Sequence, residues 1–159
     1  MKSFFSNQIN IKSGLLNFHK IKKRLDLLFQ NKNTLMAKNI FIVDDDNFFG
    51  QMLKEHLNKK GGRNVSVFLT GEDCLNNLDE GPNLVILDYN LDSVVKYAAN
   101  GLKILQLIRE KNQLLPVIML SNQDQYSIAL QTIQHGALQY VIKDEDAFEN
   151  VDRILEDIL

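Results

Sequence analysis

The chain has 159 residues, 45% of them hydrophobic and 24% charged, a composition typical of a globular protein with one domain-sized core. The net charge of -2 is unevenly distributed. Residues 1–38 are basic, with eight Lys or Arg and one acid, whereas residues 39–159 are acidic, with ten Lys or Arg and 19 acids. An acidic domain argues against nucleic-acid binding, and the single Cys74 excludes an internal disulfide. The sequence shows no signal-peptide pattern and no run of about 20 apolar residues that would span a membrane, so we expect a cytoplasmic protein.

Residues 1–37 are predicted to be an extension of the domain at 38–159. Apolar residues at helical spacing and many lysines predict a basic amphipathic helix, the apolar ones being Ile11, Leu15, Phe18, Ile21, Leu25 and Leu28. Such a helix could contact a membrane surface or an acidic partner. Alternatively, the natural chain starts at Met36 and this segment is not native.

From residue 39 onward, five short apolar runs alternate with helical patterns. The runs lie at 39–43, 65–69, 84–88, 116–120 and 138–142, and most are apolar throughout, as in parallel strands covered on both faces. Helix signals include Gly61-Gly62 after the first helix, the capping-box spacing of Thr70 and Asp73, Gly136 after the fourth helix, and an apolar stripe of Phe148, Val151, Leu155 and Ile158. The alternation predicts an α/β fold with a doubly wound, five-stranded parallel sheet in the order 2-1-3-4-5.

Polar residues stand where four of these strands end. The first strand ends at Asp44-Asp45-Asp46, the third at Asp88, the fourth at Ser121 and the fifth at Lys143. Ligands of such sheets bind at the carboxyl ends of the strands, and converging carboxylates without His or Cys suit Mg²⁺. A metal, a lysine and a hydroxyl around one carboxylate fit phosphoryl transfer through an acyl phosphate. Asp46, which directly precedes a helix, is interpreted as its N-cap.

These motifs resemble the receiver domain of two-component response regulators. Residues 38–159 are similar to its single-domain, chemotaxis-regulator-like form with a flavodoxin-like (βα)5 fold, through IFIVDDD, LVILDYN, NGLKILQLIR, PVIMLSNQ and HGALQYVIKDE. The resemblance implies that Asp88 is the phosphoacceptor and that Mg²⁺ is held by Asp45 directly, by Asp44 through water, by Asp88 and by the backbone carbonyl of Asn90. It further implies that Lys143 and Ser121 contact the phosphoryl group, that Tyr140 is a switching aromatic residue, and that Asn90 and Gln123 tune the lifetime of the phosphate.

The sequence departs from the family pattern at two places. Asp92 replaces the usual proline, and Gly101 comes about five residues late, so the loop at 91–100 is enlarged. Its Val94, Val95 and Tyr97 suggest a docking surface or lid, or the loop is a simple length variant. Asp144 follows Lys143 where the family usually has a cis-proline. Because a cis bond before another residue costs about 2.5–4 kcal/mol, we expect a trans Lys143–Asp144 bond and a shifted loop.

The resemblance implies a stand-alone receiver, with no output domain after the last helix. A histidine kinase or phosphotransfer protein would phosphorylate it, docking near the first helix and the loop between the fifth strand and the fifth helix. A switched surface would bind an unidentified protein or form a phosphorylation-dependent dimer. It would promote its own phosphorylation without being a turnover enzyme. One alternative is a pseudo-receiver that binds partners without phosphorylation. A less favoured one is a haloacid-dehalogenase-like phosphatase using Asp44 and Asp46, since Asn47 stands where that motif needs Thr or Val.

Overall fold

Five strands and five α-helices alternate along residues 37–91 and 100–159, the parts of the chain that the computed structural model describes. They are β1 (Lys38–Val43), α1 (Asn47–Asn58), β2 (Arg63–Phe68), α2 (Gly71–Asn76), β3 (Leu84–Asp88), α3 (Gly101–Lys111), β4 (Val117–Ser121), α4 (Tyr126–Gln134), β5 (Gln139–Ile142) and α5 (Ala147–Ile158), with a 3-10 turn at Leu78–Glu80. The predicted extension before residue 37, together with Asp92, Val94, Val95 and Tyr97 of the enlarged loop, lies outside the described residues.

The strands form one parallel sheet in the order β2-β1-β3-β4-β5, which confirms the predicted doubly wound fold. The register places Ile42 of β1 opposite Val67 of β2 and Ile86 of β3. The consecutive strands β2 and β3 lie on opposite sides of β1, so the topological switch point of the sheet lies between β1 and β3. The carboxyl ends of β1 and β3 are therefore adjacent, at the position where this kind of sheet binds ligands.

Alternating strand residues supply the cores on the two faces of the sheet. On one face, Ile40, Ile42, Ile86, Ile118 and Val141 pack against buried residues of α1 and α5. On the other face, Phe41, Val43, Val85, Leu87, Val117 and Met119 pack with α3 and with Cys74 of α2. Cys74 is fully buried and contributes to this core. Burial on both faces explains why these strands are apolar throughout, and it leaves their ends as the place for polar chemistry.

Several local signals act as the sequence predicted. The Asp46 side chain accepts hydrogen bonds from the first turn of α1, and the Thr70 hydroxyl accepts one from the Asp73 N–H at the start of α2. Helix α1 ends before Gly61, which has a left-handed φ of 69°. In the predicted α5 stripe, Val151 and Leu155 are buried, whereas Ile158 at the end of the helix is 36% exposed.

None of the helices within the described ranges has both the length and the apolar character that crossing a bilayer requires.

Candidate functional site

Three carboxylates meet at the adjacent ends of β1 and β3. Asp44 and Asp45 directly follow β1, and Asp88 is the last residue of β3. One oxygen from each lies within 4.8 Å of the others. Asp44 is fully buried and Asp88 is only 2% exposed, so neither charge is well solvated. A hard divalent cation fits this donor set, because Mg²⁺ prefers carboxylate oxygens and keeps several waters.

Lys143, the residue after β5, places its ammonium between two of these carboxylates. Its Nζ lies 2.8 Å from Asp44 Oδ2 and 3.2 Å from Asp88 Oδ1. Both oxygens are buried and accept no hydrogen bond of good geometry within the described part of the chain, so each has lone pairs left for a cation. The Lys143–Asp144 bond is trans, as predicted, and the ammonium nevertheless reaches both carboxylates. The single positive charge of Lys143 faces two carboxylates, so a further cation would neutralise the remaining negative charge.

Burial makes both carboxyl groups reluctant to ionise. It raises the pKa of Asp44 from 3.8 to about 6, with a contribution from the charge of Asp88, while the Lys143 ammonium acts in the opposite direction. Burial likewise raises the pKa of Asp88, opposed by Lys143 and by a hydrogen bond from the Asn90 N–H. A metal ion at this site would favour the ionised forms of both groups.

Asp46 lies beside the site but has the capping role that the sequence predicted. Its Oδ1 accepts from the N–H groups of Phe48 and Phe49, at 2.9 and 3.1 Å. Its own N–H donates to Asp44 Oδ1 at 3.0 Å. Asp46 therefore joins the start of α1 to the buried acid of the site.

Ser121, the last residue of β4, and Tyr140, within β5, belong to one hydrogen-bonded group. Asp88 is opposite Leu120 in the register, which places the fully buried Ser121 one residue further along the same edge. Ser121 Oγ accepts from the Gln123 N–H at 3.1 Å, and the Tyr140 hydroxyl donates to the Gln123 carbonyl at 2.6 Å. Burial raises the pKa of Tyr140, while a hydrogen bond to Ser121 lowers it. The loop after β4 thus connects a residue at the site edge to a half-buried aromatic ring.

Phe49 was not among the predicted site residues, although its ring contacts the site. The ring centroid lies 4.7 Å from Lys143 Nζ. In the sequence, Phe49 is one apolar residue in the segment that forms α1. One signal was available, the position of Phe49 three residues after the Asp46 cap. A long side chain at that position points back toward the start of the helix, where the site lies.

The comparisons with known proteins agree with this geometry. The response regulator receiver domain family matches residues 40–155. The chain is 32% identical over 124 residues to the chemotaxis protein CheY of Bacillus subtilis, covering 77% of this chain and 96% of CheY. It is 35% identical over 115 residues to the transcriptional regulatory protein CpxR of Escherichia coli, but that match covers 72% of this chain and only 47% of CpxR.

Solved structures show the same fold. The BeF3-activated receiver domain of DrrB is 32% identical, with a TM-score of 0.64 over 76% of this chain and 99% of that one. The receiver domain of NtrX from Brucella abortus is 25% identical, with a TM-score of 0.67 over 76% of this chain and 97% of that one. The chain therefore belongs to the response regulator receiver domain family.

Proposed function

We propose that this chain is a stand-alone signalling receiver that accepts a phosphoryl group on Asp88 from a histidine kinase or a phosphotransfer protein. The observation that carries the proposal is the meeting of Asp44, Asp45 and Asp88 within 4.8 Å, with the Lys143 ammonium on two of them. The match to nearly the whole of B. subtilis CheY supports a single-domain role. Cytoplasmic location remains a prediction.

Asp44, Asp45 and Asp88, with the backbone carbonyl of Asn90, would hold Mg²⁺, which when bound neutralises charge on the phosphoryl oxygens. The ionised Asp88 attacks phosphorus, and the bond from phosphorus to the donor breaks as the new acyl phosphate forms. The Lys143 ammonium and the Ser121 hydroxyl bind the equatorial oxygens. Hydrolysis by water returns Asp88 to its carboxylate. Each signal consumes one modification of the protein itself, so we propose that it is not a turnover enzyme.

The group formed by Ser121, Gln123 and Tyr140 would report the state of Asp88. If the Ser121 hydroxyl turns toward a phosphoryl oxygen, the Gln123 N–H loses its hydrogen-bond acceptor. Because the Tyr140 hydroxyl donates a hydrogen bond to the Gln123 carbonyl, a movement of Gln123 would also move Tyr140. We propose that this rearrangement shifts the population of the α4-β5-α5 surface. The side chains of Asn90 and Gln123 are proposed to tune the lifetime of the phosphate.

The α4-β5-α5 surface offers apolar contact area to a protein partner. Leu130 and Ile133 on α4 and Ile142 on β5 are 44%, 43% and 36% exposed. The partner is either an unidentified target or a second phosphorylated copy.

A separate groove of about 300 Å³ supports the predicted docking of the phosphodonor near α1. It is lined by Phe48, Phe49, Met52 and Phe148 together with the acidic residues Asp46, Asp144 and Glu145. Apolar residues surrounded by charged ones are typical of a protein interface.

Phosphorylation by acetyl phosphate tests the proposal directly. Wild-type protein with Mg²⁺ should gain the mass of one phosphoryl group, and Asp88→Asn or wild type with EDTA should gain none. A folded wild type that gains no mass would instead support the pseudo-receiver. Steady hydrolysis of a phosphomonoester, retained in Asp88→Asn and lost in Asp44→Asn, would support the phosphatase alternative.

Beryllofluoride provides a second test that needs no phosphodonor. The DrrB receiver domain is described as BeF3-activated. We expect the same anion with Mg²⁺ to shift the amide resonances of Ser121, Gln123 and Tyr140 in this protein, and to leave those of Asp88→Asn unchanged. Unchanged resonances in the wild type would contradict the proposed switch.

A further inference from the structure

We propose that Phe49 is a positioning residue for Lys143, and that its ring face holds the ammonium between Asp44 and Asp88. This inference rests on the proposed function, because Lys143 needs a fixed position only if Asp88 accepts a phosphoryl group.

The contact has the geometry of a cation–π interaction in a dry environment. The Lys143 Nζ lies 4.7 Å from the centroid of the Phe49 ring, and the lysine side chain is only 6% exposed. Such interactions are effective within about 6 Å and strengthen when the cation is desolvated. The two carboxylates and the aromatic face together surround the ammonium with groups that favour its positive charge.

Phe49 is itself held by the residues that line the site. Asp44 Oδ1 accepts from the Asp46 N–H, and Asp46 Oδ1 accepts from the Phe49 N–H. Because Lys143 Nζ then contacts both the Phe49 ring and Asp44 Oδ2, the four residues form a closed ring of contacts. Phe148 of α5 packs edge-on against Phe49, with centroids 5.4 Å apart and planes at 71°. The aromatic ring is therefore fixed from two sides.

Lys143 needs such support because only its backbone is fixed by the sheet. Its N–H donates to the Ser121 carbonyl at 2.8 Å, at the end of β5. The side chain beyond has a flexible four-carbon stem, and holding it in one rotamer opposes its conformational entropy. A ring face that excludes other positions reduces this loss at the moment of phosphoryl transfer.

Four proteins separate positioning from general helix stability. They are the wild type, Phe49→Leu, which removes the ring face, Phe49→Tyr, which keeps it, and the control Leu57→Val, which shortens a fully buried side chain in the last turn of α1, away from the site. The measurement is the rate constant for phosphorylation of Asp88 at saturating acetyl phosphate and Mg²⁺. We expect Phe49→Leu to be slower by about 3- to 30-fold, and the other two variants to stay within about twofold of wild type.

Equal loss of rate in Phe49→Leu and Leu57→Val would overturn the proposal, because it would indicate a general effect on α1. Loss of rate in Phe49→Tyr equal to that in Phe49→Leu would overturn it too, since the ring face would then not be the cause. So would a wild-type rate in Phe49→Leu.

A spectroscopic measurement tests the contact without any phosphorylation. Ring currents should shift the ε-methylene resonances of Lys143 upfield in wild type, Phe49→Tyr and Leu57→Val, and the shift should disappear in Phe49→Leu. Lys143 resonances that are the same in wild type and Phe49→Leu would overturn the proposal. If wild type shows the shift but is not phosphorylated, the proposed function fails while the contact stands.

Discussion

Asp44 is a fully buried carboxyl group whose two oxygens make different contacts. Its Oδ1 accepts the Asp46 N–H that leads into α1, and its Oδ2 faces the Lys143 ammonium. Since burial raises the pKa of Asp44 to about 6, the folded protein binds a proton there more tightly than the unfolded chain, in which the value is 3.8. Asp44 therefore makes the folded protein respond to pH.

We predict that, in EDTA, the free energy of unfolding falls as pH rises from about 4 to 6. The contribution of Asp44 is fully present below its unfolded pKa and is lost as pH passes its folded pKa, and a shift of this size corresponds to about 2–3 kcal/mol. Urea unfolding between pH 4 and 7 measures it. In Asp44→Asn, the free energy of unfolding should depend much less on pH. A smaller dependence of the same sign should remain, because the pKa of Asp88 is also raised.

The control for this prediction is Asp157→Asn, which changes an exposed carboxylate near the end of α5. It should keep the wild-type slope. A slope in Asp44→Asn as steep as in wild type would show that the site carboxylate does not hold the extra proton.

At the scale of secondary-structure elements, α3 begins directly against the end of β3. The Gly101 N–H donates to the Tyr89 carbonyl at 3.0 Å, and a Cβ at Gly101 would overlap the carbonyl oxygen of Asp88 and lie 2.7 Å from the Tyr89 Cα. The late glycine of the sequence thus starts the helix against the backbone of the proposed phosphoacceptor, whatever the length of the loop before it. Asn100 completes this start as the N-cap, accepting from the Lys103 N–H at 3.0 Å.

We predict that Gly101→Ala destabilises the protein by about 1–3 kcal/mol and slows phosphorylation, because the new methyl group meets backbone that cannot turn away. Gly50→Ala is the matched control, since its Cβ would lie 2.9 Å from Val67 Cγ1, the end of a side chain that can move. That variant also gains helix propensity in α1. Chemical denaturation compares the two, and equal losses would show that the contact with β3 is not what requires glycine.

A second set of side-chain contacts joins three secondary-structure elements. It lies at the amino end of β2, at the opposite end of the strands from the carboxylate site. Asp152 of α5 accepts from Arg63 of β2 at 2.6 Å and pairs with His56 of α1 at 2.7 Å. Burial by itself would raise the pKa of Asp152, but the hydrogen bonds from Arg63 and His56 hold that pKa below its usual value. The three elements are joined by one nearly buried carboxylate.

We predict that Asp152→Ala lowers the free energy of unfolding by about 3 kcal/mol, because it leaves the Arg63 charge nearly buried without its partner. Glu156→Ala is the control on the same helix. Glu156 is 61% exposed and pairs with Lys60, so its loss should matter much less. Comparable effects of the two substitutions in urea unfolding would contradict the assignment of Asp152 as the connecting residue.

At the scale of the whole molecule, a metal ion bound at the proposed carboxylate site would link metal binding to folding. The three acids come from two strand ends and are brought together only by the folded sheet. A cation that binds this arrangement and not the unfolded chain stabilises the whole domain by mass action.

We predict that Mg²⁺ raises the melting temperature of the wild-type protein in proportion to the logarithm of its concentration above the dissociation constant. At 100 times that constant the stabilisation should be about 2.7 kcal/mol. Asp45→Asn and Asp88→Asn should lose most of it, and Asp157→Asn should retain it. A melting temperature that does not respond to Mg²⁺ in wild type would contradict the proposed metal site.

Sequence patterns predicted the features that depend on residues close together in the chain. The apolar runs gave the strands, the Thr70–Asp73 spacing gave a helix start, and the Asp46 cap was recognised because a cap acts within three residues. The strand boundaries were less accurate, since β2 begins at Arg63 and not at Val65. That difference arises because pairing with β1, and not local pattern, decides where a strand starts.

The sequence by itself determined that acids, a hydroxyl and a lysine stand at strand ends, since parallel strands place those ends at one edge. Only the tertiary structure decided how they are used. Three features depend on residues about 55 to 100 positions apart in the chain. They are the contacts of Lys143 with both Asp44 and Asp88, the position of the Phe49 ring against Lys143, and the joining of three elements by Asp152. Contacts over such separations are set by the packing of α1 and α5 on one face of the sheet, which no local pattern in the chain records.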